Sequence, residues 1–261
     1  MIRKALSVCI LVAAASPLHG TVIVADDFSG SSSTNLSGLT TDVGGKTWTA
    51  DALFKADGSY TTGSNVDRGA ALDLGATFFA DQFAAGNNTI ILTVTFGASG
   101  NANSFAYAGF TTDSWTAATT TAVASEFNVG ARAQSQGVIL GLEYDTIGAV
   151  SSSLHQDNTA GDSGTDIRTA LSSTLASTYT MTITADGSGF ANSTVTLSDG
   201  TNTASITGYN ANALRTLYLG VEATTGTSSA NFDSIQLQAI PEPSAAVLGG
   251  LGLLVLARRR R

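Results

Sequence analysis

Apolar and polar residues alternate with a period of two along much of this chain. The clearest run is Thr89-Ile90-Ile91-Leu92-Thr93-Val94-Thr95-Phe96, stopped by Gly97. Successive side chains of a strand point to opposite faces, so the pattern predicts a half-buried β-strand. Phe105 to Phe110 is a second strand, and Gly137 to Tyr144 is a third, apolar enough to be central. Tyr179 to Thr184 alternates cleanly and runs into the turn pair Asp186-Gly187. Phe190 to Leu197 follows, then Asp199-Gly200, then Thr203 to Thr207. Leu214 to Glu222 and Ala230 to Leu237 complete the set. Ser163 to Ser177 has room for a turn of helix, but its Ser and Thr content suits one poorly. No long helical periodicity competes. Closely spaced strands with Gly, Asp and Asn turns predict an all-β antiparallel sandwich or barrel.

The two ends break the pattern. Met1-Ile2-Arg3-Lys4 is basic, and Ala5 to Ala15 is apolar, with Pro17 and Gly20 beyond it. That order is expected of a cleaved secretory signal over residues 1–20, removed after export through the Sec translocon. At the other end, Ile240-Pro241-Glu242-Pro243-Ser244 leads into the apolar run 244–257 and then Arg258, Arg259, Arg260 and Arg261. A full membrane span wants roughly 20 residues. The run is therefore short, and Gly249, Gly250 and Gly252 weaken it as a helix. Arginines after an apolar run stop transfer and stay on the cytoplasmic side. Pro241 and Pro243 fix φ and remove two backbone donors, which keeps the segment extended.

This order resembles the PEP-CTERM protein-sorting signal of Gram-negative bacteria. The resemblance implies recognition of Pro241, Glu242 and Pro243 by an exosortase, a membrane-embedded cysteine protease or transpeptidase. It also implies a short transmembrane helix over 244–257 that holds the chain only transiently. The expected destination is the cell envelope or an extracellular polysaccharide (biofilm) matrix. The body between the two signals is 21–239.

Charge and cysteine content sharpen this picture. The chain has a net charge of -8, but six of its 12 basic residues sit in the two end segments. The body keeps six basic residues against 19 acidic ones, a net of -13. Such a body repels nucleic acid and anionic lipid. The only cysteine, Cys9, lies in the leader, so the mature chain has no disulfide and no thiolate chemistry.

The body opens with Ala25-Asp26-Asp27-Phe28-Ser29-Gly30 and closes with Asn231-Phe232-Asp233-Ser234-Ile235-Gln236-Leu237. These bookends resemble concanavalin A-like (laminin G-like) jelly-roll domains, in which first and last strands lie side by side. If they pair here, Asp26, Asp27 and Asp233 form an acidic cluster for a structural Ca²⁺, with turn capping as the plainer role.

The strongest catalytic candidate is Leu140-Gly141-Leu142-Glu143-Tyr144-Asp145-Thr146. A strand places Glu143 and Asp145 on one face. The stretch is similar to the metal-binding strand of legume-type lectins, which would make Glu143 and Asp145 ligands, with Leu154-His155-Gln156-Asp157-Asn158 downstream. It is also similar to the catalytic strand of laminarinase-type glycoside hydrolases. There the second carboxylate falls four or five positions after the first, where this chain has Ile147 and Gly148. Retaining hydrolysis needs both carboxyls, so the set is incomplete. Asp157, Asp162 and Asp166 form a weaker acidic group in a Gly/Ser-rich stretch. His155 reads as a surface loop histidine with no nucleophile elbow beside it. Trp48, Trp115 and the tyrosines offer sugar-stacking surfaces or core aromatics. The expected function is non-catalytic, structural or adhesive, with weak glycan binding. A polysaccharide-acting enzyme using Glu143 and Asp145 is the alternative.

Overall fold

The structure is a computed structural model that describes residues 20–62, 66–97, 104–112, 137–144, 150–157, 167–223 and 228–242. Residues 1–19 of the leader, the run 244–257 and Arg258 to Arg261 lie outside them. Among the described residues no helix is long and apolar enough to cross a membrane.

The chain folds into two antiparallel sheets packed face to face, an all-β jelly-roll sandwich. The strands are β1 (Thr21–Asp26), β2 (Thr49–Ala50), β3 (Ser59–Thr62), β4 (Val66–Asp73), β5 (Asn87–Phe96), β6 (Ser104–Thr111) and β7 (Gly137–Tyr144). They continue with β8 (Val150–Asp157), β9 (Ile167–Ser172), β10 (Thr178–Asp186), β11 (Gly189–Ser198), β12 (Thr203–Tyr209), β13 (Thr216–Ala223) and β14 (Ser228–Pro241). The first sheet runs β1-β14-β5-β10-β11-β12, with β3 on the early part of β14. The second runs β2-β4-β13-β6-β7-β8-β9.

Alternation explains the first sheet directly. Ile90, Leu92, Val94 and Phe96 of β5 point inward, as do Tyr179, Met181 and Ile183 of β10. On β14 a bulge between Phe232 and Ser234 absorbs Asp233, so Phe232 and Ile235 both reach the core. The facing layer comes from Ala106, Ala108 and Phe110 of β6, Val138, Leu140 and Leu142 of β7, and Leu217 and Leu219 of β13. First and last strands pair as the bookends imply, Thr21 opposite Ala239 and Asp26 opposite Ile235.

Three local features differ from the sequence reading. A short helix α1 (Phe78–Ala84) plugs one end of the core. Its Phe79 meets Phe110 and Phe190 edge to face, at centroid distances of 5.7 and 5.2 Å. Ile167 to Ser172, within the stretch given room for a helical turn, forms strand β9 instead. It finds a partner in β8, which a reading of local propensity does not see. His155 lies inside β8 and is only 6% exposed, so it is no surface loop residue.

The second sheet is buried on both sides of its middle strands. Besides the core residues, Tyr107, Ile139, Ser153 and Tyr218 are each at most 1% exposed. Register sets Gly69, Gly220, Tyr107, Gly141 and Ser153 in one cross-strand row. The next row holds Ala71, Tyr218, Gly109, Ile139 and His155. The glycines leave room for the rings of the neighbouring row. A Cβ on Gly220 or Gly69 would overlap the Tyr218 ring, and one on Gly141 would lie 2.6 Å from His155 Nε2. Gly220→Ala is therefore expected to destabilise the fold by about 1–3 kcal/mol through overpacking. Gly187→Ala, whose Cβ meets open space, should stay within about 0.5 kcal/mol. Urea unfolding of both variants checks the contrast.

Candidate functional site

Three places on the sandwich carry polar chemistry: the corner after β1, the outer face of the first sheet, and the exit of β14.

At the corner, β1 delivers Asp26 into the core edge at 8% exposure. Trp48 Nε1–H donates to its Oδ2 at 2.7 Å, and the Phe28 backbone N–H donates to its Oδ1 at 2.9 Å. Phe28 adopts φ +48°, a turn conformation uncommon for a bulky residue, and packs on Trp48 with ring centroids 5.8 Å apart. Asp27 turns outward, accepts from the Ser29 N–H at 3.0 Å, and donates its own N–H to Asp42 Oδ2 at 2.9 Å. One carboxylate oxygen from each of Asp26, Asp27 and Asp42 lies within 4.8 Å of the others. Asp233, expected to join Asp26 and Asp27, does not. Its position in the β14 bulge turns it to Asn231, whose Nδ2 donates to it at 3.0 Å. The third acid is Asp42, brought in by the bridge between Ala25 and Val43.

A calcium ion takes 6–8 oxygens. The corner supplies three carboxylates, with both oxygens of Asp26 already accepting from Trp48 and Phe28. The set therefore fits a hydrogen-bonded corner better than a complete cation cage. Burial raises the Asp26 pKa above 3.8, and the charges of Asp42 and Asp27 push it the same way against the Trp48 and Phe28 bonds. The bonds from Ser29 hold Asp27 below that value.

Glu143 lies near the end of β7, and Asp145 falls outside the described residues. Register sets Glu143 in a row with Phe105, Glu222 and Asp67 across four neighbouring strands. Asp157 ends β8, while Asp162, Asp166 and Trp115 lie outside the described residues. His155 Nε2 and Ser153 Oγ are 2.7 Å apart in a buried contact. Trp48, Tyr107, Tyr179 and Tyr218 are all buried, so none of them presents a ring for stacking on a sugar.

The outer face of the first sheet was not singled out by its sequence. Register aligns Thr93, Thr180, Ser198 and Thr203 in one row across β5, β10, β11 and β12. The next row is Ile91, Thr182, Thr196 and Ser205, and the third is Thr89, Thr184, Thr194 and Thr207. All but Ile91 carry a hydroxyl, none is charged, and each is partly or fully exposed. Strands lie about 4.8 Å apart and same-face residues about 6.8 Å apart along a strand, so the hydroxyls form a two-dimensional array. Neighbours interlock within it, as in Thr196 Oγ1 with Ser205 Oγ at 3.0 Å. The signal was present as threonine at every second position, but only register shows that the repeats coincide.

At its far end β14 runs on through Pro241, which pairs with Asn87 of β5, and the Glu242 N–H donates to the Gly86 carbonyl at 3.0 Å. Pro243 lies outside the described residues. Residues 239–261 match the model of the PEP-CTERM protein-sorting motif. The chain carries this sorting motif. It implies export, transient anchoring by the tail and sorting by exosortase. The PEP-CTERM motif thus begins inside the sandwich, at Ala239, which is 1% exposed.

Comparison with curated proteins gives no match. Among solved structures, the metal-free carbohydrate recognition domain of Emp46p is similar at a TM-score of 0.43 and 13% identity, over 73% of this chain and 87% of that one. A legume lectin-like domain from Entamoeba histolytica is similar at 0.40 and 8%, over 69% and 83%. Alginate lyase PA1167 from Pseudomonas aeruginosa is similar at 0.40 and 12%, over 71% and 84%. Lectins and a lyase stand side by side here, and likeness at this level carries no argument about activity.

The Asp26 corner generates a pH prediction. Because its folded pKa is raised, the native state holds the Asp26 proton to higher pH than the unfolded chain does. The stability this contributes is complete below 3.8 and is lost as pH rises through the folded pKa. The stability of the wild-type chain minus that of Asp26→Asn should therefore fall with rising pH across that window. Urea unfolding of both chains from acid to neutral pH checks the sign, and a difference that grows with pH contradicts it.

Proposed function

We propose that this chain is a non-catalytic, exported protein of a Gram-negative cell envelope or extracellular matrix. In this reading it holds neutral polysaccharide against the outer face of its first sheet. The observation that carries the glycan contact is the uncharged array of threonine and serine hydroxyls across β5, β10, β11 and β12.

Each hydroxyl both donates and accepts, as the hydroxyls of a sugar do. Threonine is stiff about χ1, so ordering the array on binding costs little entropy. The body around it is strongly acidic, which disfavours an anionic polymer and leaves a neutral one unopposed. Single contacts of this type are weak, and a repeating polymer on a repeating surface gains strength by multivalency. The export motif supplies the location in which such a polymer is met.

The row of Glu143, Glu222 and Asp67 supports the enzyme alternative, since acidic residues on neighbouring strands are the raw material of glycoside hydrolysis. The position at which the second carboxylate of the laminarinase-type pattern would stand holds Ile147 or Gly148 instead.

Binding of the full chain to immobilised neutral and acidic glycans tests the proposal. Retention on neutral glycans is expected, with a loss of roughly tenfold, about 1.4 kcal/mol, for the pair Thr182→Lys and Thr196→Lys. Unchanged retention in that variant overturns the assigned face. Release of sugar products, abolished by Glu143→Gln, overturns the non-catalytic reading.

A further inference from the structure

We infer that the folded sandwich masks the start of its own sorting motif, so that processing acts on the chain only after the end of β14 peels away from β5. The inference rests on the reading that a processing enzyme recognises Pro241, Glu242 and Pro243.

The sorting motif begins at residue 239. Ala239 is buried in the core and flanked on both sides, by Thr21 of β1 and Ile90 of β5. Ile240 is half-buried and paired with Thr89, and Pro241 is half-buried and paired with Asn87. The Glu242 N–H is held by Gly86, the residue that ends the turn after α1. No spacer separates the last strand from the motif. An enzyme that grips an extended segment pairs with a free backbone edge, and here β5 occupies one edge up to Pro241 while β1 occupies the other at Ala239.

Two features make the hold a latch rather than a permanent closure. Pro241 has no N–H, so the ladder loses a donor at the last pair. The register also shifts between Ile240 and Pro241, which weakens the strand end. Terminal segments of this kind open locally at low cost while the rest of the fold stays intact. The body thereby ties the rate of its own maturation to the fraying of β14. The edge formed by Gly86 and Asn87 is the part of the sandwich that meets the processing enzyme.

The test follows maturation of the full chain in a bacterium that has an exosortase, by pulse-chase and mass spectrometry of the C-terminus. Thr89 and Ile240 are opposed across β5 and β14, at a spacing that a disulfide spans. The pair Thr89→Cys and Ile240→Cys locks the strand end when oxidised, and the only native cysteine, Cys9, is remote in sequence. Oxidised, this variant should mature roughly tenfold more slowly than the wild-type chain, and reductant should restore the wild-type rate. A Gly-Ser spacer between Ile240 and Pro241 should speed maturation. An oxidised variant that matures at the wild-type rate overturns the inference, as does equal slowing with and without reductant. A wild-type chain that keeps Arg258 to Arg261 throughout overturns the sorting reading, and the inference with it.

Discussion

The structure depends on the pairing of β14 with β1 on one side and β5 on the other. β14 is the longest of the described strands, and it lies inside its sheet although it is the last of them along the chain. Its inward residues Phe232, Ile235, Leu237 and Ala239 supply a full column of the core. Until it arrives, β1 has no partner strand in its sheet and β5 lacks one neighbour. Closing contacts between the two ends of the body are non-local, and their loop entropy is offset only once the whole strand has docked. The last strand to emerge is thus the one that completes the sheet, and it carries the sorting motif at its tip.

The sequence made the fold class legible because the first sheet is wet on one side. β5, β10, β11 and β12 each expose a mainly polar face, and threonine against large apolar residues is a plain period-two signal in β5 and β10. The second sheet was harder to read. Ile139 and Tyr107 are buried on the side away from the core residues Leu140 and Ala108, so alternation fades where both faces are dry. β8 disguised itself as a polar segment, because Ser152, Ser153, His155 and Gln156 are all buried there. Ser153 Oγ and His155 Nε2 satisfy each other inside the sheet, and composition alone points to a loop. Helix α1 is too short to show a period, and its two buried phenylalanines, Phe78 and Phe79, serve as an end plug.

The candidate sites divide along the same line between local and non-local information. The sorting motif is contiguous, so its residues were readable one after another. The Asp26 corner was half readable: Asp26 and Asp27 are adjacent, but the third carboxylate comes from Asp42 through a bridge between Ala25 and Val43 that nothing in the local pattern announces. Asp233 was a reasonable third member by strand pairing, since the strands do pair. The bulge that lets Phe232 and Ile235 both face inward is what removes it. The hydroxyl array is the extreme case. Every threonine was visible, and its meaning lay entirely in the register of four strands.

That register also links the array to the sorting end of the molecule. The row Thr89, Thr184, Thr194, Thr207 starts beside Ile240, the residue that precedes Pro241. The hydroxyl array and the sorting end therefore share the β5–β14 ladder. Peeling Ile240 from Thr89 disturbs the margin of one row and leaves the rows through Thr93 and Ile91 seated on Gln236 and Gln238. Cleavage next to the motif removes none of the twelve positions and leaves the core column of β14 in place through Leu237. An address tag fused to a structural strand would normally be costly to remove. Here the proline and the register shift confine the disturbance to the last pairs, so the sheet that carries the surface survives the loss of the tag.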